Sequence, residues 1–347
     1  MRWQNKMKKL FQIKKAGIYL FLVILLSCGI AFQWKHLQKI AFFEKQIIKN
    51  PLELLNFLSD EEKEALELFF YYAFQEGSAY VLFGDKPMSI CYFPKVKILH
   101  EGKINSIYEI AGSISITYHP TQRKIKKGWE LLEKYHHLLQ SSNFLIKKEV
   151  HFLSKNGVDF ALIINKNNFL KAISCNIEDF QNVLGESITP EIIYEKCVKR
   201  EFLLRDVLKG HEGLIGILLG YGRGNSWKYY IRNQLKKEIK ESNLAEIDLK
   251  NKKEEFKKLN DQLKSFAETD FSYLKKSEIL PDFSRGYVYV YKDFFPNSLE
   301  LPAFVCDYND LETIHLKQHY ELNKKNIIHN FRNKDFLQII IKKLSTH

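Results

Sequence analysis

The sequence predicts an α+β protein with one N-terminal transmembrane helix, a small mainly antiparallel sheet with covering helices, and a largely helical second half. Three observations carry this. Ala16 to Trp34 is an uncharged apolar run behind a purely basic head. Paired short apolar runs flank Gly84-Asp85-Lys86-Pro87 and Asn156-Gly157, as in β-hairpins. From Thr189 onward, apolar residues recur mostly at helical spacing.

The head, 1–15, contains Arg2, Lys6, Lys8, Lys9, Lys14 and Lys15 and no acid. About nineteen residues rising 1.5 Å each span ~28 Å as a helix, close to the hydrocarbon thickness of a bilayer. Basic residues on one flank favour keeping that flank in the cytoplasm, so the domain that follows is expected outside it. Three readings of this segment stand. An uncleaved signal-anchor is first, because the run outlasts an ordinary signal h-region and ends on Trp34, an interfacial residue type. A cleaved signal peptide is second, since Gly29-Ile30-Ala31 has the small-x-small form of a cleavage site. A lipoprotein is third: Leu25-Leu26-Ser27-Cys28-Gly29 resembles a lipobox with Cys28 as the acylated residue, although Leu26 is bulkier than that pattern prefers.

Beyond the anchor, 35–78 is expected to be a helical membrane-proximal segment, with one helix running to Ile48 before Asn50-Pro51. Ser59-Asp60-Glu61-Glu62 has the capping-box form and opens a helix through Phe69, Phe70 and Phe74, with Gly77 as its stop. The next region, 79–185, contains the sheet. Its strands are expected at Ala79–Phe83, Met88–Phe93, Ser106–Tyr118, Phe144–Phe152 and Val158–Ile164, with a helix carrying Ile125, Trp129, Leu132, His136 and Leu139 between the third and fourth. In the helical region 186–280, Thr189-Pro190-Glu191 supplies an N-cap, a first-turn proline and an acid to a helix expected to reach Gly210. A short helix over His211–Leu219 and one capped by Asn225 or Ser226 follow. Mixed charges from Lys236 to Lys276 surround Leu249, Phe256, Leu259, Leu263 and Phe266, the pattern of a projecting or docked amphipathic helix whose apolar stripe nominates a protein partner. Strands at Tyr287–Tyr291 and Leu301–Val305, then helices at Asp310–Phe331 and Lys334–Leu344, complete 281–347 and pack on the same domain.

Apolar residues make up 45% of the chain and aromatics 14%, enough for a packed core and against a disordered chain. The net charge of +12 falls to about +6 without the six basic residues of the head. The remaining basic residues are mostly lysine rather than the planar fork of arginine, which excludes nucleic-acid recognition as the first reading. Cys91, Cys175, Cys197 and Cys306 lack C-x-x-C spacing, so a zinc ribbon is excluded. Their apolar contexts favour free buried thiols over two disulfides.

One segment has the form of a ligand site. Gly220, Gly222 and Gly224 with Arg223 precede a helix start at Asn225-Ser226, where successive backbone N–H groups attract anions and Arg223 can clamp a phosphate or carboxylate. Its G-x-G-x-G spacing matches neither dinucleotide nor P-loop patterns, and a glycine-rich packing corner is the competing reading. Asp85 and Lys86 at the Phe83–Pro87 turn are the second candidate, against ordinary turn chemistry. Glu312, His315 and His319 share a helix face without a third zinc ligand in pattern, so no metal or other cofactor is expected. No hydrolase frame surrounds any serine, and no catalytic residue is assigned.

Phe83-Gly84-x-Lys86-Pro87, Leu218-Leu219-Gly220-Tyr221-Gly222-Arg223, Leu301-Pro302-x-Phe304 and Glu312-Thr313, behind an N-terminal anchor, resemble uncharacterised exported proteins of intracellular, chlamydia-like bacteria. The resemblance implies an envelope protein and brings no activity with it. The reading is therefore a membrane-anchored envelope protein with a non-enzymatic interaction or structural role. The alternative is a small-anion-binding or transferase-like domain built on Gly220–Ser226, favoured if that loop and Asp85-Lys86 converge on one concave pocket.

Overall fold

The computed structural model describes residues 50–93, 120–139, 141–151, 158–199, 201–241, 246–265, 299–302, 304–332 and 334–345. The expected anchor at 16–34 with Cys28, the helix to Ile48, the strands at 106–118 and 287–291, Phe266 and the Asn156-Gly157 turn lie outside them. No helix among the described residues is long and apolar enough to cross a membrane. The chain divides into two compact units, Met1–Leu54 and Leu55–His347. Of the first, the described part is a 3-10 turn, Pro51–Glu53, in which Asn50 Oδ1 accepts the Leu52 N–H at 3.0 Å. The rest concerns the second unit.

Helix α1, Asp60–Gln75, starts on its capping box, with the Glu62 N–H donating to Ser59 Oγ at 3.3 Å and the Ser59 N–H to Glu62 Oε2 at 2.9 Å. Gly77, at φ +85°, turns the chain directly into helix α2, Ser78–Phe83. The expected strand at Ala79–Phe83 is therefore a helix. Ala79, Tyr80, Val81 and Leu82 are all buried, and a short apolar run covered all round carries no periodicity to separate helix from strand.

Strand β1, Met88–Phe93, consequently pairs elsewhere. With β2, Phe144–His151, and β3, Val158–Asn165, it forms an antiparallel sheet ordered β1-β3-β2. The expected β2–β3 pairing is present. Helix α3, Pro120–Lys134, crosses α1 so closely that a Cβ on Gly128 would lie 2.1 Å from the Ala65 carbonyl oxygen. Trp129 packs on Phe69 there, with ring centroids 5.6 Å apart.

Two helices that the sequence reading omitted, α4 (Lys166–Cys175) and α5 (Ile177–Leu184), follow β3 and bury Phe169, Ile173 and Phe180 on the sheet. Helix α6, Pro190–Val198, opens on the Thr189 cap as expected but ends well before Gly210. Its end is fixed by β2. Lys147 Nζ donates to the carbonyls of Cys197 (3.1 Å), Lys199 (3.0 Å) and Phe202, while both Glu149 oxygens accept the Leu204 N–H at 3.0 Å. The two side chains lie 3.3 Å apart, and both residues are buried. A single turn, Leu204–Val207, then leads to α7, Glu212–Leu218.

Helix α8 spans Arg223–Glu241 and α9 spans Glu246–Gln262. Asn225 and Ser226 therefore lie inside α8 rather than capping it. The expected continuous helix to Lys276 is corrected too, because Leu263–Ser265 is a strand, β4, paired antiparallel with β5, Val305–Asp307. The expected strand at Leu301–Val305 is thus shifted toward the C-terminus. Leu249, Phe256 and Leu259 are half-buried on the face of α9 that carries Lys252, whose Nζ meets Glu238 of α8 at 2.7 Å. The stripe nominated for a partner is thus largely docked within the chain.

Helices α10, Leu311–Phe331, and α11, Phe336–Ser345, agree with expectation. Phe331 and Phe336 join them to α1 through Phe74, at centroid distances of 5.8 and 5.6 Å.

Candidate functional site

The four motifs scattered through the sequence meet at the N-terminus of α8. After α7 the chain passes through Gly220 and Gly222, at φ +74° and +84°, which aims the first free amides of α8 outward. The carboxylate of Glu312, in the first turn of α10, accepts both. The Arg223 N–H donates to Oε1 and the Gly224 N–H to Oε2, each at 2.7 Å. Two charge-assisted bonds at the positive end of a helix form an anion seat, and here the anion belongs to the protein. Asp310 Oδ1 in turn caps α10 by accepting the Glu312 N–H at 3.0 Å.

The remaining side chains tie the same corner. Arg223 turns its guanidinium to Asp179 on α5, with Nε–Oδ2 at 2.6 Å and Nη2–Oδ1 at 2.8 Å. Hydrogen bonding from Arg223 holds the buried Asp179 carboxyl below the usual carboxylate range. Asn225, 1% exposed, donates to the Tyr221 carbonyl at 3.0 Å, meets the Thr313 hydroxyl at 2.9 Å and accepts the Asp307 N–H at 3.0 Å. Ser226 Oγ donates to the Gly222 carbonyl. Lys228 bridges Asp307 at 2.8 Å and Asp310 at 2.9 Å, and its bond keeps the Asp310 carboxyl low. His211 caps α7 by accepting the Leu214 N–H on Nδ1 at 3.3 Å and stacks on Tyr230 at 4.0 Å, and burial lowers its pKa.

The second candidate turn adjoins this corner. A Cβ on Gly220 would lie 3.3 Å from Lys86 Cγ, and Lys86 Nζ stands 5.7 Å from the Tyr221 ring centroid. Tyr221 stacks on Phe304 at 4.5 Å, which brings in the third motif. Helix α10 spans both turns. Tyr320 Oη donates to the Gly220 carbonyl at 2.9 Å, Asn323 Nδ2 donates to Asp85 Oδ1 at 2.7 Å, and His319 Nδ1 lies 3.2 Å from Asp85 Oδ2.

Every residue proposed for a ligand, Gly220, Gly222, Arg223, Gly224, Asn225, Ser226, Asp85 and Lys86, is thus drawn into one region, as a packed joint. A half-open cavity of about 350 Å³ is lined instead by Lys258, Asp261, Gln262, Lys264, Tyr308 and Asn309, with none of those eight. Glu312 and His319 face different partners, and among the described residues no group of three or more His, Cys, Asp or Glu is placed to hold a metal. The described cysteines are free thiols, and Cys175 is exposed rather than buried as expected.

The residues that sequence reasoning missed are Asp179 and the true partner of Glu312. Asp310 and Glu312 at a helix start signal local capping, and nothing local points Glu312 at a helix 88 residues earlier. No family model, curated protein or solved structure matches the chain.

Proposed function

We propose that this is a membrane-tethered, non-enzymatic interaction protein of a bacterial envelope, its N-terminal segment the anchor and its folded unit exported. The observation that carries the non-enzymatic part is the Glu312 carboxylate on the Arg223 and Gly224 amides. The groups best suited to grip a small anion are engaged by the chain itself, and Arg223 is held by Asp179. The apolar, uncharged Ala16–Trp34 run behind its basic head supports the tether. The α8–α9 pair supports the interaction role. It buries one seam and leaves Ile247 75% exposed and Ile231 39% exposed on a lysine-rich surface.

The test has two arms. A periplasmic reporter fused after His347 should be active and stay with the membrane, unlabelled by palmitate and indifferent to Cys28→Ala; an inactive reporter overturns export. A photo-crosslinker at Ile247 should yield a discrete adduct in cells that one at exposed Glu254 does not. Identical patterns at both positions overturn docking on this helix pair.

A further inference from the structure

We propose that Lys86 is a proton-controlled latch in the joint between the Phe83–Pro87 and Gly220–Tyr221 turns, tight when its amine is neutral and loosened when it is charged. The observations are geometric. Lys86 is 3% exposed, yet no described hydrogen-bond acceptor or carboxylate partners its Nζ. Its carbon stem lies against Gly220 and its nitrogen against Gly77, where a Cβ would come within 2.8 Å. A buried ammonium without a paired anion is the costly form of a lysine, and the neutral amine is the tolerated one.

The groups around it offset only part of that cost. From the end of α1 comes Glu76, whose negative charge acts on Lys86 without an ion pair between them and whose own pKa is raised by desolvation. From β1 comes Cys91, a buried thiol pushed up to about 12 by burial, beside Ser78 and Ser89, whose hydroxyls meet each other at 2.8 Å. From the α7–α8 turn comes the Tyr221 ring, and from α10 the Tyr320 hydroxyl, already donated to Gly220. Asp85, next in sequence, is engaged by His319 and Asn323.

Burial lowers the Lys86 pKa from 10.5 to about 8. Opening the joint restores the ordinary value, so between about pH 8 and 10.5 the open joint binds a proton that the closed one lacks. Below pH 8 the opening equilibrium is raised by about 300-fold over its value in strong base, and between pH 7 and 9.5 protection should grow about thirtyfold.

Hydrogen exchange on the full-length chain, corrected for intrinsic rates, reads this from peptides covering 84–90 and 218–224. The wild type should gain that protection from pH 7 to 9.5. Lys86→Met should be flat with pH and already protected at pH 7. Glu76→Gln should keep the slope and move it to lower pH. A flat wild-type profile overturns the latch. So does an unchanged slope in Lys86→Met, or a slope abolished by Glu76→Gln, which would place the titration on Glu76. Should Lys86→Met fail to fold, the wild-type and Glu76→Gln profiles decide alone.

Discussion

Replacing Glu312 by alanine tests whether the α8–α10 joint is held from within. The substitution removes two charge-assisted hydrogen bonds of 2.7 Å from the first backbone amides of α8. Bonds to charged groups contribute about 1.5–3 kcal/mol each when deleted singly. They do not add fully here, because Arg223 is exposed and Gly224 half-buried, so water can take up the freed amides. The expected loss is about 2–4 kcal/mol, a fall in Tm of roughly 4–8 °C for a domain of this size. Glu312→Gln keeps one neutral acceptor and should recover about half. Glu312→Asp, one methylene short, should behave like alanine. Urea and thermal unfolding of the four chains measure this order. Acetate at tens of millimolar should then stabilise Glu312→Ala by occupying the vacated seat, with no such effect on the wild type. An alanine variant within about 0.5 kcal/mol of wild type would refute the reasoning, as surface substitutions of no structural consequence fall in that range.

Breaking the buried Lys147–Glu149 pair with Glu149→Gln should cost about 3–5 kcal/mol, because it strands a buried ammonium; the double variant Lys147→Met/Glu149→Leu should cost much less than the sum of the singles. Denaturant melts provide the double-mutant cycle. Acid should destabilise the fold through Asp179 and Asp310, whose native pKa values are depressed by Arg223 and Lys228. The unfolded chain binds the extra protons, so this stability is present above the ordinary aspartate pKa of about 4 and is lost as pH falls through the native values. Asp179→Asn should flatten the pH 2–5 stability curve relative to wild type, and an unchanged curve would place the titration elsewhere.

Elements that declare themselves locally were legible. Ser59 with Glu62 and Thr189 with Pro190 each marked a helix start that the fold contains. The β2–β3 pairing followed from alternating runs around a turn. What failed depended on partners far along the chain. Ala79–Leu82 is buried on every side, which erases its period. The end of α6 is set by Lys147, 50 residues earlier than the Cys197 carbonyl it binds, and no local residue announces it. Lys166–Leu184 is rich in Asn and weakly patterned, and its helices are stabilised by Phe169, Ile173 and Phe180 against the sheet rather than by propensity. For the candidate site, the sequence singled out two turns that the fold packs side by side and missed the carboxylate seated on one of them. Gly220 and Gly222 do take positive φ, yet the anion seated there comes from a helix face that was weighed for metal binding and set aside as solvated.

Synthesis runs from the N-terminus, and this gives the position of α10 a consequence in time. Asn323 reaches back 238 residues to Asp85, and Glu312 reaches back to Arg223 and Gly224. Until the last few dozen residues have emerged, the two turns and α8 lack the bonds that α10 makes to each of them, however complete the sheet is. Contacts of such sequence separation form late because the loop entropy must be met first. The joint between the two turns and α8 is therefore completed only when α10 arrives.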